Sequence, residues 1–185
     1  MLVDQLSSRG SSRRSRGFTL IELMVVVAMV AILATLAAPS LREFAANQAL
    51  AGTTSDLIGA SMTARSAAIS RNARVVLEPA SGSDWLSGWR IYIDKNGDFS
   101  YVAADDELIA TGTPLPDSVG INASPSSNCT NKTKFAYGAD GFLYVGGVYG
   151  NGGIPLRSTV TSRDRCVVFD KIGRTRICGQ GADAC

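Results

Sequence analysis

An α+β fold is predicted, with a long N-terminal α-helix, apolar in its first half and amphipathic in its second, packed on a C-terminal antiparallel β-sheet. Three features predict it. Residues 18–38 carry a single ionisable side chain, Glu22. Apolar residues then recur at spacings of three, four and seven as far as Ile69, the period of a helix face. Beyond Asn72, short β-branched and aromatic runs alternate with glycine and asparagine turns, the pattern of antiparallel strands. These features divide the 185 residues into segments 1–17, 18–38, 39–72 and 73–185. One compact domain plus a long helix accounts for this length, and two large domains do not fit.

Segment 1–17 is basic: Arg9, Arg13, Arg14 and Arg16 are opposed only by Asp4. Residues 18–38 give roughly 31 Å of helix against a hydrocarbon core of about 30 Å, which is one membrane span. The preceding arginines keep that end cytoplasmic, so the head faces the periplasm or its equivalent. A cleaved secretory signal fits poorly, because an acid interrupts the run, the run is too long, and no A-x-A site closes it. An unpaired carboxylate in lipid costs about 2.5 to 3.5 kcal/mol, so Glu22 needs a neutralising partner.

Pro39 lacks the amide hydrogen a continuing helix uses, and a kink or local melting is expected there. The helix resumes with a stripe of Leu41, Phe44, Ala51, Ile58 and Met62, widened by Leu57, Ala64, Ala68 and Ile69, which is expected to pack on the sheet. Gly52, Thr53 and Thr54 are weak helix formers and mark a soft spot.

Strands are expected at 74–78, 89–94, 99–103, 107–111, 119–123, 133–137, 142–145, 155–160, 165–170 and 174–178. Asn96 and Gly97 suit a tight hairpin turn, with Trp89, Ile91 and Ile93 alternating into the core. Asp94, Asn96 and Asp98 also admit a calcium loop. An EF-hand, however, needs glycine sixth and glutamate twelfth, where this stretch has Gly97 fourth and Asp105 twelfth, and the hairpin is the stronger reading. No other metal site is expected.

Four cysteines, Cys129, Cys166, Cys178 and Cys185, lie in the exported head without a CxxC pair, which favours two disulfides over zinc. Three pairings are possible. Cys129 with Cys166 and Cys178 with Cys185 is preferred, because Cys166 and Cys178 face each other across one hairpin, where a bond is strained.

No histidine is present, so a serine or cysteine nucleophile has no imidazole base. Asp105 and Asp106 read as surface carboxylates with nothing to split their acidities. No phosphate loop or dinucleotide fingerprint occurs, and neither an enzyme nor a cofactor is expected. Without residues 1–17 the chain carries 14 basic and 15 acidic side chains, a net of −1, so any anion site is local. Residues 78–117 hold eight acids against Arg90 and Lys95, a solvated face. Residues 154–178 hold six bases against Asp164 and Asp170. There, in G-R-T-R, Arg174 and Arg176 project from one side of a strand about 7 Å apart, near the spacing of successive phosphates. With Lys171 in the preceding turn they form a candidate anion site. The plainer reading is a turn with Gly173 at positive φ and arginines that keep an outer strand soluble.

The stretch R-G-F-T-L-I-E-L, Arg16 to Leu23, is similar to the class III signal of type IV prepilins and type II secretion pseudopilins. The resemblance implies that residues 1–17 are a leader, cut between Gly17 and Phe18 by a prepilin peptidase, with N-methylation of Phe18. It also implies that Glu22 pairs with the N-terminal amine of a neighbouring subunit during assembly. The order of signal, long helix, G-W-R-I-Y-I-D and closing C-V-V-F-D-K-I-G-R-T-R resembles the GspH/FimT family of minor pilins and pseudopilins. That implies the type IV pilin fold and a subunit near the tip of a pilus that aids its assembly. Its partners would be other major and minor pilins, at the inner membrane before assembly and in a surface pilus or periplasmic pseudopilus after it. G-R-x-R tails mark FimT-type pilins that bind DNA during natural transformation, implying DNA contacts for Arg174, Arg176 and Lys171. The alternative is a minor pseudopilin of a type II secretion system.

Overall fold

The computed structural model describes residues 17–123 and 129–179. It holds two compact units, residues 1–39 and residues 40–185, and each is described by itself. The helix α1 runs over Leu20–Arg71 as one hydrogen-bonded element. The melting expected at Pro39 is not seen: the missing N–H removes a single bond to the preceding turn, and the helix carries on. At its other end α1 stops in a Schellman motif, with Asn72 left-handed at φ 50°, Asn72 N bonded to the Ile69 carbonyl and Ala73 N to that of Ala68.

Within the second unit, the face of α1 turned inward is not the stripe of large residues. Ala46, Leu50, Thr53, Thr54, Leu57, Ala60, Ser61, Ala64 and Ala68 are buried, whereas Leu41, Phe44, Met62 and Ile69 are more than half exposed. The large side chains on the facing strands explain this. Trp85, Phe135, Tyr137 and Phe169 fill the core, and only small helix residues let the backbone come close enough to cover them. The soft spot at Gly52–Thr54 remains helical, with the Thr54 hydroxyl donating to the carbonyls of Leu50 and Ala51.

Ten strands follow: β1 Val75–Ser81, β2 Asp84–Ile93, β3 Glu107–Thr111, β4 Val119–Ile121, β5 Phe135–Tyr137, β6 Leu143–Val145, β7 Val148–Tyr149, β8 Gly152–Ser158, β9 Asp164–Phe169 and β10 Thr175–Cys178. They form two antiparallel sheets, ordered β3-β2-β1-β5-β6-β7 and β10-β9-β8-β4. Both sheets contribute to one core with α1, where the rings of Phe135 and Phe169 stack with centroids 4.0 Å apart. The two glycines that open β8 have a packing reason. A side chain at Gly152 would strike the Phe135 ring at 2.8 Å, and one at Gly153 would strike Cys166 Sγ at 2.9 Å.

The strand expected at 99–103 is absent, and Asn96-Gly97 is no tight hairpin, because β2 pairs with β3 across the loop 94–106. The buried Asp94 carboxylate takes up the amides of Gly97 and Phe99, and that of Asp106 the amides of Lys95 and Val102, which fixes a wide loop. Asp106 is therefore a buried loop-forming residue, not a surface one. The loop lays Phe99 and Tyr101 over a second, smaller core of Val76, Tyr92 and Ala136 on the outer side of the first sheet. There Arg74 stacks on Phe99 and Arg90 on Tyr101. Arg90 and Lys134 satisfy the buried Glu78 at 2.6 and 3.3 Å.

The assignment of the inner helix face is checked by two substitutions. Ala64→Leu should overpack the core and cost about 1 to 3 kcal/mol in urea unfolding, whereas Met62→Ala should stay within about 0.5 kcal/mol of the parent. The opposite ranking would restore the stripe of large residues as the packing face.

Candidate functional site

Two regions carry the candidate residues. At the N-terminus, every described residue from Gly17 to Ala45 is exposed, Phe18 by 75%. So long an exposed apolar surface is not maintained in water, and it calls for lipid or other apolar helices around it. Glu22 lies in the first turn of α1, where its amide donates to Thr19 Oγ1 at 3.3 Å. T-L-I-E is thus a capping arrangement, with Thr19 as N-cap and the acid at the helix N-terminus. The T-x-x-E spacing would have revealed Thr19.

The second region is the β9–β10 hairpin, in the register Thr175↔Phe169 to Cys178↔Cys166. Its turn closes with Gly173 N bonded to the Asp170 carbonyl and Asp170 N to the Arg174 carbonyl, both at 2.8 Å, and Gly173 at φ 79°. That is a three-residue loop ending in a glycine bulge. Arg65 of α1 staples it from below, Nε donating to the Gly141 carbonyl at 3.0 Å and Nη2 to the Ile172 carbonyl at 3.1 Å. Lys171 is gripped on both sides of its backbone: its amide donates to Asn151 Oδ1 at 2.7 Å and its carbonyl accepts from Leu143 N at 2.9 Å.

Alternation along β10 puts Arg174 and Arg176 on its outer side, but they do not stand free in solvent. Arg174 Nη2 and Arg176 Nη1 converge on Asp170 Oδ2 at 2.8 and 3.2 Å, and Arg176 is half-buried. Lys171 is exposed, so the hairpin end carries three cations, two of them paired with Asp170. The six bases of 154–178 do not form one patch. Arg157 is tied to Asp164 by two bonds of 2.6 and 2.8 Å, and Arg163 and Arg165 lie at the opposite end of β9.

A family model described as Type II transport protein GspH matches residues 53–173, well over half of the chain. The chain belongs to the GspH family. A second model, the prokaryotic N-terminal methylation motif, matches residues 12–38. Among solved structures, the type IV minor pilin FimU of Pseudomonas aeruginosa is similar at a TM-score of 0.51 and 14% identity, over 75% of this chain and 93% of that one. A second crystal form of FimU gives 0.45 and 15%, over 71% and 92%. The first likeness shows the type IV pilin fold. Comparison with curated proteins gave no match. This GspH-family pilin thus joins a methylation motif and an apolar helix, the equipment for membrane anchoring and filament assembly, to a closed head.

In the head of the pilin, Cys129 is bonded to Cys166. Cys178, opposite Cys166 in the hairpin, is also disulfide-bonded, while Cys185, its expected partner, lies outside the described residues. Gly17 is described and residues 1–16 are not. Asp94 and Asp106 spend their oxygens on backbone amides, and no group of three metal-ligating side chains occurs among the described residues. Asp170 and Arg65 were missed as parts of the basic turn. Asp170 stands four residues before Arg174, a legible pairing, whereas Arg65 is distant in sequence and carried no signal.

Gly173 should be irreplaceable. A Cβ there would lie 2.2 Å from the Gly141 carbonyl oxygen and 2.7 Å from Arg65 Nε, at a φ that side chains rarely adopt. Gly173→Ala should cost about 1 to 3 kcal/mol and raise amide exchange at 170–174. Unchanged exchange there would show that the turn is not held in this conformation.

Proposed function

We propose that this pilin is a minor subunit of a type IV pilus. Residues 18–38 anchor it in the inner membrane, with the head, residues 73–185, in the periplasm. A prepilin peptidase removes 1–17 between Gly17 and Phe18, Phe18 is N-methylated, and the subunit joins other major and minor pilins near the filament tip, where it aids assembly. The role is structural rather than catalytic. The observation that carries this reading is the exposed apolar stretch 18–38, whose single ionisable side chain is Glu22. In a dry filament core that carboxylate is tolerated only beside an opposite charge, which the new N-terminal amine of a neighbour supplies.

The same subunit captures extracellular DNA through Lys171, Arg174 and Arg176, as in natural transformation. Support comes from three cations on one rigid turn of a chain whose net charge beyond the leader is −1. A second reading, a minor pseudopilin of a type II secretion system, is favoured by the description of the matching family model. Loss of pili and transformation on deletion supports the first, and loss of protein export the second.

Mass spectrometry of filament-associated protein should find N-methylated Phe18 at its start, and Glu22→Ala should insert in the membrane yet enter filaments poorly. An intact leader, or equal incorporation of the variant, would remove the assembly role.

For DNA, the full chain freed of its leader, in zwitterionic nanodiscs, should bind duplex weakly and without sequence preference, log K falling with log salt at a slope of roughly −2 to −4. Changing Arg174 and Arg176 together to Gln should weaken binding about tenfold or more. Asp170→Asn, which frees both guanidinium groups, should strengthen it. Undetectable binding at low salt, or no response to the arginine pair, would return G-R-T-R to a plain turn.

A further inference from the structure

An aromatic cluster lies beside the basic turn, with Tyr144 packed against the smaller core and Phe142 and Tyr149 exposed. Phe142 is 42% exposed and Tyr149 56%, on and next to the edge strand β7. The rings of Tyr144 and Tyr149 lie 4.3 Å apart, and Phe142 meets Tyr149 edge-on at 5.8 Å. A chain of hydroxyls fixes them: Tyr144 donates to Tyr149 at 2.6 Å, and Tyr149 to Asp140 Oδ2 at 3.0 Å. The cluster adjoins Lys171 through the backbone, because Leu143, between Phe142 and Tyr144, and Asn151, two residues past Tyr149, are the two residues that grip Lys171.

We infer that Tyr149 and Phe142, set beside the turn that carries Lys171, form a stacking platform that gives this surface a preference for single-stranded over duplex DNA. The inference rests on the DNA-binding reading above. Lys171 and Arg174 hold phosphates, a term that single strand and duplex share. The rings add a term that only an unpaired base can use, because in a duplex the base faces are covered by their neighbours. Asp140 is the carboxylate nearest to the rings. It is engaged by the Tyr149 hydroxyl, so it orients the ring rather than standing in the path of the strand. A purely apolar partner would leave the adjoining cations unanswered, whereas a single strand answers both charge and rings.

Fluorescence anisotropy on the full chain freed of its leader, in zwitterionic nanodiscs, with a labelled oligo-dT and a duplex of equal length, tests it. The single strand should bind more tightly. Tyr149→Ala should weaken single-strand binding roughly fivefold or more and leave duplex binding nearly unchanged, while Tyr149→Phe, which keeps the ring, should retain it. An oligonucleotide carrying 5-iododeoxyuridine, irradiated on the unmutated chain, should cross-link to Tyr149 or Phe142. Equal affinity for both DNAs, no loss with Tyr149→Ala, or cross-links confined to other residues would overturn the platform. If duplex binding still responds to the Arg174 and Arg176 changes in that case, the DNA-binding reading stands. Absence of all binding removes both.

Discussion

Ser61 joins the three layers of the head at a single point. Its hydroxyl lies 2.5 Å from both the Tyr137 hydroxyl and Thr175 Oγ1, and so links α1 to β5 of the first sheet and β10 of the second. Ser61 and Tyr137 are buried, so losing one of the two leaves the other unsatisfied, at about 1 to 3 kcal/mol. Burial raises the Tyr137 pKa, against the opposing pull of its two hydroxyl partners, which keeps the phenol neutral across the physiological range. The consequence reaches the surface. Thr175 sits between Arg174 and Arg176, so fixing its side chain inward commits both arginines to the outer side of the sheet.

The same constraint explains which parts of the fold were legible in the sequence. Strands β3, β6, β9 and β10 could be read to within a residue or so, because period-two alternation reports burial on one side directly. The helix face was legible only in part, at Leu57, Ala64 and Ala68. Leu41, Phe44, Met62 and Ile69 make the larger apolar stripe, yet the core admits Ala60, Ser61, Ala64 and Ala68, because the sheets bring the bulk. Apolar periodicity ranks residues by hydrophobicity, whereas close packing against aromatic rings selects for small size.

The loop 94–106 failed for a related reason. Asn-Gly is a strong local turn signal, but local chemistry competes with tertiary partners, and here two aspartates outweighed it. Asp94 and Asp106 together take up four backbone amides, and Phe99 and Tyr101 gain cover on Tyr92 and on two arginines. The N-terminal methylation motif was legible because it depends on spacing within a few residues. In the basic turn, Arg174 and Arg176 were legible by alternation, while the grip of Arg65 and Asn151 depends on contacts across 107 and 20 residues, which no local pattern encodes.

The energetics of that turn set what it can do. Two guanidinium groups already share Asp170, whose side chain is only 15% exposed, so a phosphate does not meet bare cations. It exchanges one anion for another, or adds to an arrangement already partly neutralised, and the gain is smaller than three free cations would give. Lys171 is the exception, exposed and without an ion pair among the described residues. On the proposed reading, a site so balanced would bind phosphate backbone weakly and lose it quickly as salt screens the remaining charge, with a Debye length of about 8 Å at physiological ionic strength. Retention of a strand under those conditions needs a contribution that salt does not screen. Exposed rings fixed by hydroxyl chains beside Lys171 would provide one, since stacking depends on contact area and water release rather than on net charge.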